Sequence, residues 1–130
     1  MSEQHSFTAL QLAILRVLWE RGEATVAEIW EALHDERGLA QTTLATMLSR
    51  LEKRGAVAHR TSSRQFIYRA LVSEDAARHS MVSELTARLF EGDVPALVSH
   101  LLSAQDMSPG DRQRIRAMLD KASKSTEEPK

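Results

Sequence analysis

The apolar positions of this chain fall into helical stripes punctuated by glycines. Leu10, Ile14, Val17 and Leu18 form one stripe and Leu12, Leu15 and Trp19 a neighbouring one. A first helix that is apolar on more than half its circumference is buried on two sides. Thr8-Ala9-Leu10-Gln11 opens it as a capping box, and Gly22 stops it. Thr25-Val26-Ala27-Glu28 is a second capping box; Val26, Ile29, Trp30 and Leu33 follow at helical spacing, and this helix ends between Glu36 and Gly38. Ala24-Thr25 just before it can form a token strand. A third helix runs from about Gln41 to Arg54 and is closed by Gly55, with Leu44, Met47, Leu48 and Leu51 as its core face. At about 100° per residue, Thr42, Thr46, Ser49 and Lys53 fall on the opposite side, flanked by Ala45 and Arg50.

Beyond Gly55 the period changes. Ala56 to Arg60 and Gln65 to Ala70 read as two strands joined by the polar turn Thr61-Ser62-Ser63-Arg64. Ser73 then starts a fourth helix with Met81, Val82, Leu85, Leu89 and Phe90 as its apolar side, and Glu91-Gly92-Asp93 breaks it. Pro95 fits the first turn of a short fifth helix through Leu102. Ser108-Pro109-Gly110-Asp111 caps a sixth, whose Ile115, Met118, Leu119 and Ala122 repeat at heptad-like spacing.

Helix, helix, helix, hairpin is the order of a winged helix-turn-helix. The predicted architecture is therefore mainly α: a winged helix-turn-helix over residues 1–72, a three-helix dimerisation region over 73–123 and a disordered polar tail over 124–130. The last three helices carry separated stripes and cannot close a core alone. A second copy is the simplest partner, and Met81, Leu85, Leu89, Leu97, Leu101, Leu102, Ile115, Met118 and Leu119 are the residues expected to meet it.

Charge adds a function to this frame. The net charge is only −1, but it is unevenly spread. Residues 1–36 hold two bases and seven acids, whereas Arg37 to Leu71 hold seven bases and one acid, Glu52, for a net +6. The remainder has eight bases and ten acids. The positive field thus surrounds the third helix and the hairpin, which is what binding to a polyanion requires.

The chemistry of that segment fits duplex DNA. Short side chains let a helix sit deep in the major groove, hydroxyls bond base edges or phosphates, and a Thr methyl can touch a thymine methyl. Gln41, Thr42, Thr43, Thr46 and Ser49 are candidates for DNA contact, with Thr42 and Thr46 carrying sequence choice and Arg50 and Lys53 reaching phosphates to fix the register. In the hairpin, Arg64 and the hydroxyls of Ser62 and Ser63 suit backbone or minor-groove contact, and Arg60 is a further DNA-binding candidate. Signals for other chemistry are lacking. There is no HExxH, Walker loop or GxGxxG, and no cysteine; His5, His34, His59, His79 and His100 are not at metal-ligand spacings. The expectation is a protein without catalytic activity, cofactor or metal. No stretch of ~20 apolar residues spans a membrane, and Met1 to Ser6 lack the pattern of a secretory leader. Cytoplasmic location is the simplest reading. Two other functions suit the same fold: a small-molecule-responsive winged-helix regulator and a winged-helix protein-interaction module. The concentration of positive charge around one helix separates the DNA-binding reading from the second of these.

Across about Phe7 to Ser123 the sequence resembles the BlaI/MecI/CopY penicillinase-repressor family. The match is carried by Leu10 to Trp19, ending in Leu-Trp; by Thr25 to Ile29; by Gln41 to Gly55, with its Arg50-Leu51-Glu52-Lys53-Arg54 run; by Tyr68; and by Phe90-Glu91-Gly92-Asp93 followed by Leu97-Val98. The resemblance implies a homodimeric transcriptional repressor on a pseudo-palindromic operator of TACA/TGTA type. It also implies release when a membrane sensor metalloprotease, or a factor it activates, clips the tail in the fifth helix. Alignment from Glu91-Gly92-Asp93 places that bond at His100–Leu101. Three departures are visible. Ala45 stands where relatives can carry a base, Glu91 replaces the first glycine of the "GGD" element, and the Cys-x-Cys pairs of the copper-responsive branch are absent.

Overall fold

The computed structural model describes residues 7–127 and has the element order α1 (Ala9–Arg21), β1 (Ala24–Thr25), α2 (Val26–Arg37), α3 (Gln41–Lys53), β2 (Val57–Ser62), β3 (Gln65–Ala70), α4 (Glu74–Phe90), α5 (Val94–Leu102) and α6 (Pro109–Glu127). The expected fold class is what forms, with a small three-stranded antiparallel sheet in the order β1-β3-β2.

Local chemistry sets the element ends. The Gln11 N–H donates to Thr8 Oγ1 at 3.2 Å and the Thr8 N–H to Gln11 Oε1 at 3.0 Å, closing the first capping box. Thr25 and Glu28 close the second at 2.9 and 3.1 Å. Gly22 and Gly38 end α1 and α2 at φ +85° and +57°, where a side chain would be strained. The chain divides into two compact units, the first ending at Leu85 and the second beginning at Thr86.

In the first unit, α1 is the central helix. Ala13, Ile14, Leu15, Val17 and Leu18 are buried on it, joined by Ile29, Leu44, Leu48, Leu51, Val57, Tyr68 and Ala77. The boundary expected after residue 72 is not where this unit ends. The first half of α4 packs with it: Ala77 is in the core and Met81 lies against it. Trp19 fastens the junction by donating from Nε1 to the Val72 carbonyl at 2.8 Å. Met81, read as a dimer residue, is therefore covered in part by its own chain.

The second unit is different in kind. Among its described residues only Thr86 is buried. Leu89 (71% exposed), Met118 (67%) and Leu119 (57%) lie open to solvent, as do Val94 and Leu101. Glu91 and Gly92, both at positive φ, break α4 from α5 as expected. Asp93 caps α5, accepting from the Ala96 N–H at 3.1 Å, and Ser108 and Asp111 cap α6 reciprocally. Helix α6 continues to Glu127, which corrects the reading of a disordered tail from Lys124. Lys124 near the helix C-terminus complements the dipole, so the polar composition there does not prevent helix. The rest of that tail, and His5, lie outside the described residues.

Candidate nucleic-acid interface

Helix α3 is anchored by the three leucines on its inner face, each fully buried. That anchorage turns Gln41, Thr42, Thr43, Ala45, Thr46, Ser49, Arg50 and Lys53 outward, and all are exposed. Three further ties fix its position. Trp30 Nε1 donates to the Leu39 carbonyl at 2.7 Å, pinning the turn before α3. Arg54, at its end, donates to Gln11 Oε1 at 3.3 Å and lies over the Phe7 ring at 4.5 Å from its centroid. Glu52 binds His59 of β2 at 2.8 Å, joining the helix to the hairpin.

Two details of α3 refine its chemistry. Thr46 Oγ1 donates to the Thr42 carbonyl at 3.0 Å. Its proton is spent within the helix, so a methyl and an acceptor oxygen are what it can offer outward. The N-terminus has Ala40 at the cap position and no side-chain cap. The first N–H groups of α3 are therefore unclaimed by side chains, at the positive end of the dipole.

The hairpin ends in a two-residue turn, with Ser62 paired to Gln65 across it. Ser63 and Arg64 have φ of +51° and +67°. Positive φ at both central residues is a type I′ turn, which matches strand twist but favours Asn-Gly. An arginine held there projects from the wing tip at a conformational cost of about 1–2 kcal/mol. Both tip residues are exposed.

Arg60 does not join this set. It makes a two-point ion pair with Glu23, Nε to Oε2 at 3.0 Å and Nη2 to Oε1 at 2.9 Å. Strand alternation puts it on the opposite sheet face from His59. The hydrogen bond to Arg60, with Arg69 adding to it, holds the Glu23 carboxyl below its usual range. Arg60 could not be distinguished from Arg64 in the sequence because its partner lies 37 positions upstream.

The residues read as a dimer surface divide similarly. Leu85, Leu89, Leu101, Met118 and Leu119 are exposed, whereas Leu97, Leu102 and Ile115 are half-buried. His100 and Leu101 are both exposed on a formed helix, and the His100 carbonyl accepts from Ser103 Oγ at 3.0 Å. Among the described residues no cluster of three or more His, Cys, Asp or Glu is placed to hold a metal, and no helix is long and apolar enough to cross a membrane.

The sequence profile of the family described as penicillinase repressor matches residues 7–121, from the first core residue through most of α6. The chain belongs to the penicillinase repressor family. It is similar to the methicillin resistance regulatory protein MecI of Mammaliicoccus sciuri, 20% identical over 120 residues that cover 92% of this chain and 98% of that one. It is also similar to the penicillinase repressor of Bacillus licheniformis, 24% identical over 114 residues covering 85% and 86% of the two chains. Among solved structures, the DNA-binding domain of the repressor BlaI superposes with a TM-score of 0.51 at 26% identity, covering 58% of this chain and 93% of that one. The family match thus spans both units.

Proposed function

We propose that this protein is a DNA-binding transcriptional repressor that sits on a pseudo-palindromic operator as a homodimer. The observation that carries the reading is the outward face of α3, hydroxylic and basic, beside a wing whose tip keeps an arginine at a left-handed position. Thr42, Thr43, Thr46 and Ser49 meet base edges and Gln41 the groove wall. Arg50, Lys53 and Arg64 hold phosphates, with Ser63 beside them. The work is binding, and no residue is assigned to catalysis.

Dimerisation follows from the second unit's lack of a core. A unit of fewer than fifty residues with its large apolar side chains open is not stable by itself. A second copy supplies the missing surface, and the two recognition helices then lie about one helical turn of DNA, ~34–36 Å, apart. Release comes from a cut at His100–Leu101, made in response to a sensor or protease partner in the membrane, while the repressor acts in the cytoplasm. Such a cut removes α6 and with it the linkage between half-sites, a linkage often worth 10²–10⁴ in apparent affinity.

The test is to end the chain after His100 and measure mass in solution and affinity for its own promoter. The reading predicts monomers with affinity lower by about two orders of magnitude. A truncated protein that stays dimeric and binds as tightly as the intact chain rules out cleavage as the switch.

A further inference from the structure

The hairpin extends well beyond the part of it that the core holds. Val57 and Tyr68 are buried, and Ala24 and Thr25 of β1 pair with Tyr68 and Ile67. From Arg60 to Ile67 no residue is buried. A two-stranded ribbon is at best marginally stable by itself, so its direction depends on what touches its base. The tip begins at Ser63, ~13 Å beyond His59 along an extended strand. A tilt of about 10° at His59 moves that tip by ~2 Å. That is more than a hydrogen bond from a guanidinium to a phosphate tolerates.

Adjacent residues of β2 tie the hairpin on its two faces. On one face His59 Nδ1 donates to Glu52 Oε1 at 2.8 Å and lies 3.0 Å from Oε2. A carboxylate only accepts, and a ring nitrogen can donate to it whether or not the imidazole is charged. Phe66 stacks on the ring with centroids 4.0 Å apart, and Tyr68 lies 5.4 Å from it, so the ring is held from α3 and from β3. On the other face Arg60 pairs with Glu23, just ahead of β1. The two ties differ in exposure. The side chains of His59 and Glu52 are 27% and 35% exposed, those of Arg60 and Glu23 56% and 43%. Exposed ion pairs hold a geometry weakly, and the Arg60 pair does not touch α3.

We propose that Glu52 and His59 are positioning residues for the wing: their bond fixes the hairpin against α3, so that Arg64 reaches a DNA phosphate while Arg50 and Lys53 hold theirs. The proposal rests on the DNA-binding reading above. It accounts for an acid in an unfavourable place. Glu52 is the one acid between Arg37 and Leu71. A negative charge there weakens the attraction of the segment for a polyanion. Neither Glu52 nor His59 needs to touch DNA. Their effect on binding passes through Arg64, and breaking their bond removes what Arg64 contributes.

The experiment measures the slope of log affinity against log salt for the full chain on a duplex of its own promoter. Arg64→Ala is made in the intact chain, in Glu52→Gln and in Glu52→Ala. The two Glu52 variants are equally uncharged, but only the glutamine amide oxygen still accepts from His59. In the intact chain and in Glu52→Gln, Arg64→Ala is expected to make the slope shallower by about two, one phosphate contact from each protomer of a dimer. In Glu52→Ala the slope is already shallower, and adding Arg64→Ala changes it little. A merely structural role would lower stability and leave the contribution of Arg64 as it was. An equal effect of Arg64→Ala in Glu52→Gln and Glu52→Ala therefore overturns the proposal. So does an intact chain that binds duplex with a slope indifferent to Arg64→Ala. Arg60→Ala, which frees the other face, should keep the full effect; its loss there would mean general loosening and would also overturn the proposal. If Glu52→Ala fails to fold, His59→Ala breaks the same bond from the strand and is read in the same way. Failure of the intact chain to bind duplex is a separate result, which overturns the DNA-binding reading itself.

Discussion

Ser63 and Arg64 occupy backbone conformations that glycine or asparagine would hold at less cost, and the wing keeps them. Strain of this kind persists where the side chain has work to do. Arg64→Gly should therefore stabilise the fold by about 0.5–1 kcal/mol while weakening DNA binding. Thermal unfolding and a binding titration on one preparation check both signs together. Thr46 offers a finer prediction, because its hydroxyl proton already goes to the Thr42 carbonyl. Thr46→Val keeps the methyl and should retain operator preference. Thr46→Ser loses a methyl and should lose on the order of 1 kcal/mol of it. The reverse ranking would show that the hydroxyl, not the methyl, reads the base. Arg60 belongs to a different account. Its bond to Glu23 holds that carboxyl below the unfolded value, so the pair adds stability above that value and loses it as pH falls through the folded one. Arg60→Ala should remove this acid-limb dependence, followed by chemical denaturation below pH 5, and leave the salt dependence of DNA binding almost unchanged.

At the scale of elements, α3 stands out by its start. Ala40→Ser would supply the missing side-chain acceptor and should raise stability by about 1 kcal/mol. It would also compete with a phosphate for the same N–H groups, so operator affinity should fall or stay level; a clear gain in affinity would show that this helix end is remote from DNA. Most helix starts and stops were legible in the sequence because each rests on contacts within three or four residues: Thr8 with Gln11, Thr25 with Glu28, and a glycine at positive φ after each of the first four helices. The hairpin was legible from its change of period. What was not legible depends on distance. The Arg54 tie to Gln11 spans 43 positions, the Glu23–Arg60 pair 37, and neither leaves a periodic trace. Glu52 gave a signal that could have been used, a lone acid in a basic segment, since such a charge needs a local reason. The split of α4 between two units was hidden because its apolar positions look alike whether they meet their own chain, as Met81 does, or stay open, as Leu89 does.

For the whole molecule, the two units have separate roles. One has a closed core and carries the exposed hydroxylic and basic face of α3, and the other leaves large apolar side chains open to solvent. A chain ending at Leu85 keeps Ala77, Met81 and the Trp19 bond to Val72, and should fold as a monomer in sedimentation. The account's central claim is that two such faces bind duplex DNA together, and the salt dependence of operator affinity tests it most directly. Arg50, Lys53 and Arg64 from each protomer give about six phosphate contacts, hence a slope of log affinity against log salt near −5. The Leu85-terminated chain, with one face per molecule, should show about half that slope. A flat response in the intact protein, or equal slopes in the two, would contradict the account.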